Sequence, residues 1–538
     1  MMKLLFILSM WTIPFLFPDW TFAQVKNLPN IIPAPVSVVK SKGTFCLQAK
    51  TKIVIRSADQ DLKNSATYLS QQVQLLTGLH ISVGNASTPS KNNIILDINY
   101  TSDNKEAYNL QISKKEIVIN GASAAGLFYG IQSLLQMVPP QNQSTIKIAC
   151  ANIKDQPSYS WRGMHLDVSR HFFPVAFVKK MIDQMAKLKL NTFHWHLTDD
   201  QGWRIEIKRY PKLTQISSWR DETLVGHYTE NDQKFDGIKY GGFYTQEEIK
   251  DVVKYAQSRY ITIVPEIEMP GHAVAVLTAY PEYSCTGGPF KVYTKWGISD
   301  DVFCAGKEGT FELLQNILDE VVALFPGPYI HVGGDECPKT RWEVCPDCQK
   351  RMKDNGLKNE LELQSYFIKR IEKFIASKGK KMIGWDEILE GGLPERAAVM
   401  SWRGYAGGIE AAHLGHDVVM TPTDYCYFNF YQGAEKDEPL AFGGFLPLEK
   451  VYSFNPLPPT LNAEGAKHIL GAQANLWTEY ITDGEKAEYM LFPRICAMAE
   501  ILWTPKNLQD YPFFQYRMKK YCMRLEKYEI HFHPIPIN

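Results

Sequence analysis

Tyr329-Ile330-His331-Val332-Gly333-Gly334-Asp335-Glu336 is an apolar run that ends in two glycines and two adjacent carboxylates. The run reads as a buried strand, and the glycines let the backbone turn and let another group approach closely. Two acids placed there are costly to desolvate unless they are paired or functional. A lone Asp-Glu pair is more often a salt-bridged strand end. What decides the reading is that the pattern recurs. Strand-like runs are predicted at 163–168, 192–197, 261–266, 329–332, 381–385, 398–402, 417–420 and 469–472. Helical patterns separate most of them, at 175–188, 245–258, 308–324, 360–378 and 408–414, with a last one at 485–501. Strands alternating with helices in this number read as a (β/α)8 barrel, whose active site lies at the C-terminal strand ends. Polar clusters sit at those ends: Asp167-Val168-Ser169-Arg170, His196-Leu197-Thr198-Asp199-Asp200, Glu266-Ile267-Glu268-Met269-Pro270-Gly271-His272, Trp385-Asp386-Glu387, Trp402-Arg403 and Asn475-Leu476-Trp477-Thr478-Glu479.

Ahead of the barrel, 52–55, 93–97 and 116–119 read as strands and 61–77 and 124–137 as helices, a small mixed α/β domain. Asn152 to Pro157 is the expected linker. The expected division is therefore a leader at 1–23, the first domain at 24–155, and the barrel with a C-terminal extension at 156–538. The leader reading rests on Lys3, an apolar stretch from Leu4 to Phe17 and the small-residue site Thr21-Phe22-Ala23. It implies export, to a periplasmic or extracellular location, with no membrane anchor, because the apolar run is short for a spanning helix.

The 538 residues are 45% hydrophobic and 22% charged, ordinary for a globular chain with room for two cores. Lys+Arg and Asp+Glu are equal at 58 each, which argues against nucleic acid as a partner. Ten cysteines in an exported chain favour disulfides or free thiols, with Cys285 and Cys304 the first pair to expect. Cys345 and Cys348 form a C-x-x-C, but no second pair at zinc-ribbon spacing follows, so no metal site and no cofactor is expected.

Four motifs carry a resemblance: Trp161-Arg162-Gly163-Met164-His165-Leu166-Asp167-Val168-Ser169-Arg170, His194-Trp195-His196-Leu197-Thr198-Asp199-Asp200-Gln201-Gly202-Trp203-Arg204, Pro265-Glu266-Ile267-Glu268-Met269-Pro270-Gly271-His272 and His331-Val332-Gly333-Gly334-Asp335-Glu336. In this order they resemble family 20 glycoside hydrolases, the exo-acting β-N-acetylhexosaminidases. The resemblance spans most of residues 160–480, and the first domain resembles the one that precedes the barrel in that family. Two neighbouring carboxylates do not easily straddle a glycosidic bond, as the ordinary retaining mechanism requires. Substrate-assisted hydrolysis avoids the difficulty, because the sugar's own 2-acetamido oxygen is the nucleophile.

The resemblance implies roles residue by residue. Glu336 is the general acid and then the base, Asp335 holds the acetamide N–H, and Tyr427 donates to the acetamide oxygen. Asp199 and His272 form a polar relay to Glu336. Trp385, Trp402 and Trp477 wall the sugar and its acetamide methyl. Arg162 binds the 3- and 4-hydroxyls, although a lone Arg more often forms a salt bridge. Glu479 accepts from the 4- or 6-hydroxyl. Many family members carry Tyr-x-Asp where this chain has Tyr427-Phe428-Asn429. Asn429 keeps size and hydrogen bonding but loses charge, so no preference between GlcNAc and GalNAc follows.

The implied partner is an oligosaccharide or glycoconjugate with a terminal β-linked N-acetylhexosamine. A homodimer is compatible with the sequence and not demanded by it. Three other readings compete. A disaccharide-releasing member such as a lacto-N-biosidase would differ in loops such as 283–306 and 431–452. A catalytically dead glycan-binding barrel would lack Asp335, Glu336 or Tyr427. A metal-dependent hydrolase would use His331, Asp335, Glu336 and nearby cysteines, which lack a recognisable ligand spacing.

Overall fold

The computed structural model describes residues 29–56, 59–85 and 91–535. The leader-like stretch 1–23 lies outside them. Eight parallel strands close into a barrel: Trp161–Asp167, Thr192–His196, Thr262–Glu266, Tyr329–His331, Lys381–Trp385, Ala398–Ser401, Val418–Met420 and Ile469–Ala474. The eighth strand pairs with the first, Gly471 opposite Trp161 and Ala474 opposite Met164. Each expected strand is present with its ends slightly shifted. The helices Val175–Lys187, Gln246–Gln257, Glu308–Leu324, Glu360–Ser377 and Ala406–His413 follow as expected. The last expected helix is two, Gly484–Leu491 and Arg494–Trp503, because Pro493 has no N–H to donate and interrupts the ladder. A further helix, Tyr511–Lys527, buries Phe514, Met518, Tyr521 and Leu525, an i, i+4 stripe that holds it to the body of the molecule.

Alternation along the second strand sorts its side chains. Trp195 packs against Tyr244 and Phe325, whereas His194 turns toward Glu266 and His331. The barrel is thus filled by an unusual set: His165, His194, His196, Glu266, His331 and Gln473 are all fully buried. A polar interior of this kind is tolerated only where its members bond one another. Glu266 does most of that bonding, as described below.

The first domain is a seven-stranded mixed sheet in the order Ser37–Gln48, Thr145–Asp155, Tyr108–Ile112, Glu116–Gly121, Asn93–Asp97, Lys52–Ile55 and Ser82–Asn85. The helices Gln60–Thr77 and Ala124–Met137 pack on it. The expected linker is largely not a linker. Residues 152–155 continue the strand Thr145–Asp155, 152–154 paired on both sides and Asp155 with Tyr108 alone. Asp155 ends that strand buried, accepting from Lys189 Nζ (2.9 Å) and Trp503 Nε1 (2.9 Å) of the barrel.

The expected Cys285–Cys304 disulfide is also absent. All ten cysteines are free thiols, and these two belong to a group of four with Cys345 and Cys348.

Candidate active site

The fourth strand stops at His331 and the chain turns sharply. Gly333 and Gly334 take φ of 65° and 93°, and Glu336 itself takes 42°. Glycine is required at 333 on space as well as angle: a Cβ there would sit 1.7 Å from Glu268 Oε2. The turn puts Asp335 and Glu336 on the same side despite their adjacency. His272 Nε2 lies 3.7 Å from Asp335 Oδ2 and 3.6 Å from Glu336 Oε2. On its other side, His272 Nδ1 lies 3.1 Å from Asp199 Oδ1 and 3.3 Å from Asp200 Oδ2. Burial disfavours the imidazolium, but Asp199, Asp200 and Glu336 together hold the His272 pKa well above the usual value. The expected Asp199–His272–Glu336 relay is therefore assembled, and it touches Asp335 as well.

Beneath lies Glu266. Its carboxylate meets His194 Nε2 (3.0 Å), His331 Nδ1 (2.8 Å), His196 Nδ1 and Trp385 Nε1 (2.8 Å). Burial alone would raise its pKa; His331, His196 and His194 overcome this and hold it well below the carboxylate range. His196 also reaches Asp199 (3.0 Å), which links this floor to the relay. His331 is thus a partner of Glu266 rather than a member of a set with Asp335 and Glu336.

The aromatic residues meet as one wall. Trp385 and Trp477 lie 5.8 Å apart between ring centroids, Tyr427 is 6.4 Å from Trp477, and Trp402 stacks on Tyr427 at 6.1 Å. They come from the ends of four different barrel strands, which makes a box rather than a chance pair. Trp402 Nε1 donates to Glu387 Oε2 (2.9 Å), fixing the indole plane. Asn429 is buried and Glu479 half-buried, and Asn429 Oδ1, Glu479 Oε2 and Asp335 Oδ1 have no hydrogen-bond partner among the described residues. Buried unpaired acceptors cost stability, and these three lie where a ligand at the barrel mouth could complete them. Burial pushes Asp335 up to about 6 and Glu479 up to about 7.

Arg162 is not part of this site. It begins the first strand, at the opposite mouth of the barrel, and forms two 2.8 Å contacts with Glu106 of the first domain. Its Nε donates to the Lys189 carbonyl (2.9 Å). The salt bridge that a lone Arg most often makes is its actual role. The arginine at the site is Arg170, just past the end of the same strand. It pairs with Asp199 (2.8 Å) and Asp167 (3.3 Å), and its guanidinium lies 5.1 Å over Trp477. Glu268 and Glu387 are two more residues that the sequence reading left out of the site. Burial and nearby Asp335 raise both, Glu387 to about 8 and Glu268 well above the carboxylate range. All three were visible in the polar clusters at strand ends; position in the cluster was the signal.

The two arginines separate in experiment. Arg162→Met should lower the thermal midpoint while leaving kcat/KM close to wild type. The loss should be about 3 kcal/mol, the low end for breaking a buried pair, because Glu106 is partly exposed. Arg170→Met should lower kcat/KM sharply, with a midpoint loss at least as large, because Asp167 and Asp199 are left buried and unpaired. Equal effects on turnover would return Arg162 to the site.

A barrel with carboxylates, a clustered aromatic wall and buried acceptors at its C-terminal mouth defines a sugar-processing enzyme of the glycoside hydrolase type. The chain belongs to glycosyl hydrolase family 20: the catalytic-domain profile matches residues 159–506 and the domain 2 profile residues 28–156. A β-hexosaminidase of Porphyromonas gingivalis is 47% identical over 516 residues. The alignment covers 94% of this chain and 65% of that protein, so the chain spans about two thirds of this relative's length. A β-hexosaminidase of Vibrio furnissii is 37% identical, over 87% of this chain and 76% of its own length. Among solved structures, a family 20 exo-β-N-acetylglucosaminidase from Vibrio harveyi, in complex with N-acetylglucosamine, superimposes with a TM-score of 0.83 at 33% identity. It covers 94% of this chain and 78% of its own. The Streptomyces plicatus N-acetyl-β-hexosaminidase gives 0.82 at 31% identity, over 95% of this chain and 97% of its own.

Proposed function

We propose that the protein is an exo-acting, retaining β-N-acetylhexosaminidase. It removes terminal non-reducing β-linked GlcNAc or GalNAc by substrate-assisted catalysis. The observation that carries this reading is the turn at Gly333-Gly334, which gathers Asp335 and Glu336 beside His272. The neighbouring carboxyls are poor nucleophiles. Glu266 is occupied by three imidazoles and an indole. Burial and the nearby Asp335 push Glu387 up to about 8, so it is largely neutral at pH 7, and raise Glu268 well above the carboxylate range. The attacking group is then the substrate's own acetamide oxygen.

In the first step that oxygen bonds to the anomeric carbon while Glu336 delivers its proton to the departing glycosidic oxygen. Asp335 accepts the acetamide N–H and offsets the positive charge of the oxazolinium ring. The Tyr427 hydroxyl steadies the acetamide oxygen. The indoles of Trp385, Trp402 and Trp477 exclude water from the ring. In the second step Glu336 takes a proton from water, which opens the ring with net retention. Arg170, Glu479 and Asn429 are the groups available to the sugar hydroxyls. The β-hexosaminidase names of the relatives support the same substrate class.

Purified mature protein should release monosaccharide from aryl β-GlcNAc with EDTA present, and from the non-reducing end of defined β-linked oligosaccharides. Release of disaccharide, or prompt EDTA inhibition reversed by added metal, would overturn this reading. Export is supported by the leader-like residues 1–23 alone; among the described residues no helix is long and apolar enough to cross a membrane.

A further inference from the structure

Three separated stretches of chain bring four cysteines together on the outer side of the loops that follow the third and fourth strands. Cys304 and Cys348 are fully buried, Cys345 nearly so, and Cys285 partly. Cys285 Sγ lies 3.8 Å from Cys348 Sγ, and Cys304 Sγ lies 3.7 Å from Cys345 and 3.6 Å from Cys348. One sulfur from each of the four lies within 4.8 Å of every other. A zinc ion bound to four thiolates at about 2.3 Å sets its sulfurs about 3.8 Å apart, the edge of that tetrahedron. A disulfide would instead pair each sulfur with one neighbour at about 2.0 Å. Here Cys304 stands equally close to two. The geometry points to a structural tetrathiolate zinc site formed by Cys285, Cys304, Cys345 and Cys348.

The surroundings are built for it. Cys345 caps the helix Pro346–Asn355 and Cys348 lies in its first turn, so the positive end of the helix faces the thiolates. Gly306 has to be glycine, since a Cβ would lie 2.1 Å from the Asp347 carbonyl carbon and 2.4 Å from the Cys348 nitrogen. That close approach seats the Cys304 loop against the C-x-x-C turn. Around a centre of net negative charge lie Arg341, which interacts with Cys285, and Arg351 and Lys307, which donate to the carbonyls of Gly306 (3.0 Å) and Ser284 (2.8 Å).

Four protein ligands close the shell, so the ion has no open position for substrate or water. Its role is to tie loops together. Phe303, next to Cys304, donates its N–H to the Pro270 carbonyl (3.0 Å), and its own carbonyl accepts from Trp342 Nε1 (2.9 Å). The zinc would therefore brace both the segment that carries His272 and the one that follows Glu336. The spacing defeated sequence reading because only one half of the site is a C-x-x-C. Cys285 and Cys304 reach it from the two ends of a loop.

The inference does not depend on the hydrolytic reading, and its test reads metal and thiols rather than turnover. Full-length mature protein, purified without chelator or affinity metal, should contain about one zinc per chain by plasma mass spectrometry. Cys304→Ser and Cys348→Ser should lower that content at least about tenfold, while Cys46→Ser and Glu336→Gln keep it. Growth on cobalt should give the tetrahedral absorption and thiolate charge transfer of a sulfur-ligated ion, lost in Cys304→Ser. If the serine variants fail to fold, the wild type still decides. Denatured without reductant, it should release zinc and expose four alkylatable thiols at these positions. Metal-free protein from zinc-replete growth would overturn the proposal. So would recovery of the four cysteines as two disulfides.

Discussion

Glu336→Gln should slow glycosylation from substrates with poor leaving groups by on the order of a hundred- to ten-thousandfold. Dinitrophenyl substrates, whose leaving group needs little protonation, should be partly spared in that step. Asp335→Asn should slow ring closure for both kinds of substrate, because it acts on the acetamide and not on the departing oxygen. First-step rates measured by single turnover across leaving-group pKa should thus give two different profiles. Steady-state rates can conceal the difference, since Glu336 also activates water in the second step. Acidity supplies a second signature. Burial pushes Asp335 up to about 6, against the pull of His272 in the opposite direction. The acetamide N–H needs the ionised carboxylate, so the active form is lost as pH falls through that value. In wild type kcat/KM should drop about tenfold per unit below pH 6, and Asp335→Asn should flatten that limb. Identical leaving-group slopes and an unchanged acid limb would remove the division of labour between the two carboxyls.

On the proposed mechanism, the substrate's own nucleophile makes the second large difference. An aryl β-glucoside lacks the acetamide and should be cleaved at least about a thousandfold more slowly than the matching aryl β-GlcNAc. Well-placed intramolecular nucleophiles reach effective molarities of roughly 10⁵ M or more, and the glucoside forfeits this. On the proposed mechanism, a thiazoline that imitates the cyclised intermediate should bind on the order of a hundredfold or more tighter than substrate, held in the box of Trp385, Trp402, Trp477 and Tyr427. Comparable turnover of the glucoside would mean that a carboxylate of the enzyme attacks instead, with Glu387 the first to test.

The barrel was legible because parallel strands covered on both faces read as short apolar runs, and because functional groups collect where those runs end. The site was legible for the same reason at Asp335, Glu336, Asp199 and His272. What failed was direction along a strand. Arg162 lies at the start of one seven-residue strand and Arg170 just past its end, and only the fold says which of them stands with Asp199 and Trp477 at the mouth. Periodicity carries no such sign, whereas the polar cluster Asp167 to Arg170 did. The edge strand Ser37–Gln48 was missed for another reason. Its first eight residues are mostly exposed and carry two lysines, so no alternation marks them. Long-range sulfur geometry was also beyond spacing, since Cys285 and Cys348 are brought together only by loop paths.

The seam between the two domains has a consequence for anyone who would borrow the barrel alone. Lys189 is fully buried and its ammonium is met by Asp155 and the Tyr108 hydroxyl (2.9 Å each), both supplied by the first domain. Arg162 is buried against Glu106 in the same way. Cutting the chain at the boundary would remove the counter-charges of two cations at the base of the barrel and bare to water the apolar surface packed around them, on a fold whose whole margin is about 5–15 kcal/mol. The first domain, none of whose described residues reaches the Asp335–Glu336 turn, supplies the counter-charges at the base of the barrel. The smallest autonomous catalyst in this chain is both domains together, and they should melt as a single cooperative unit.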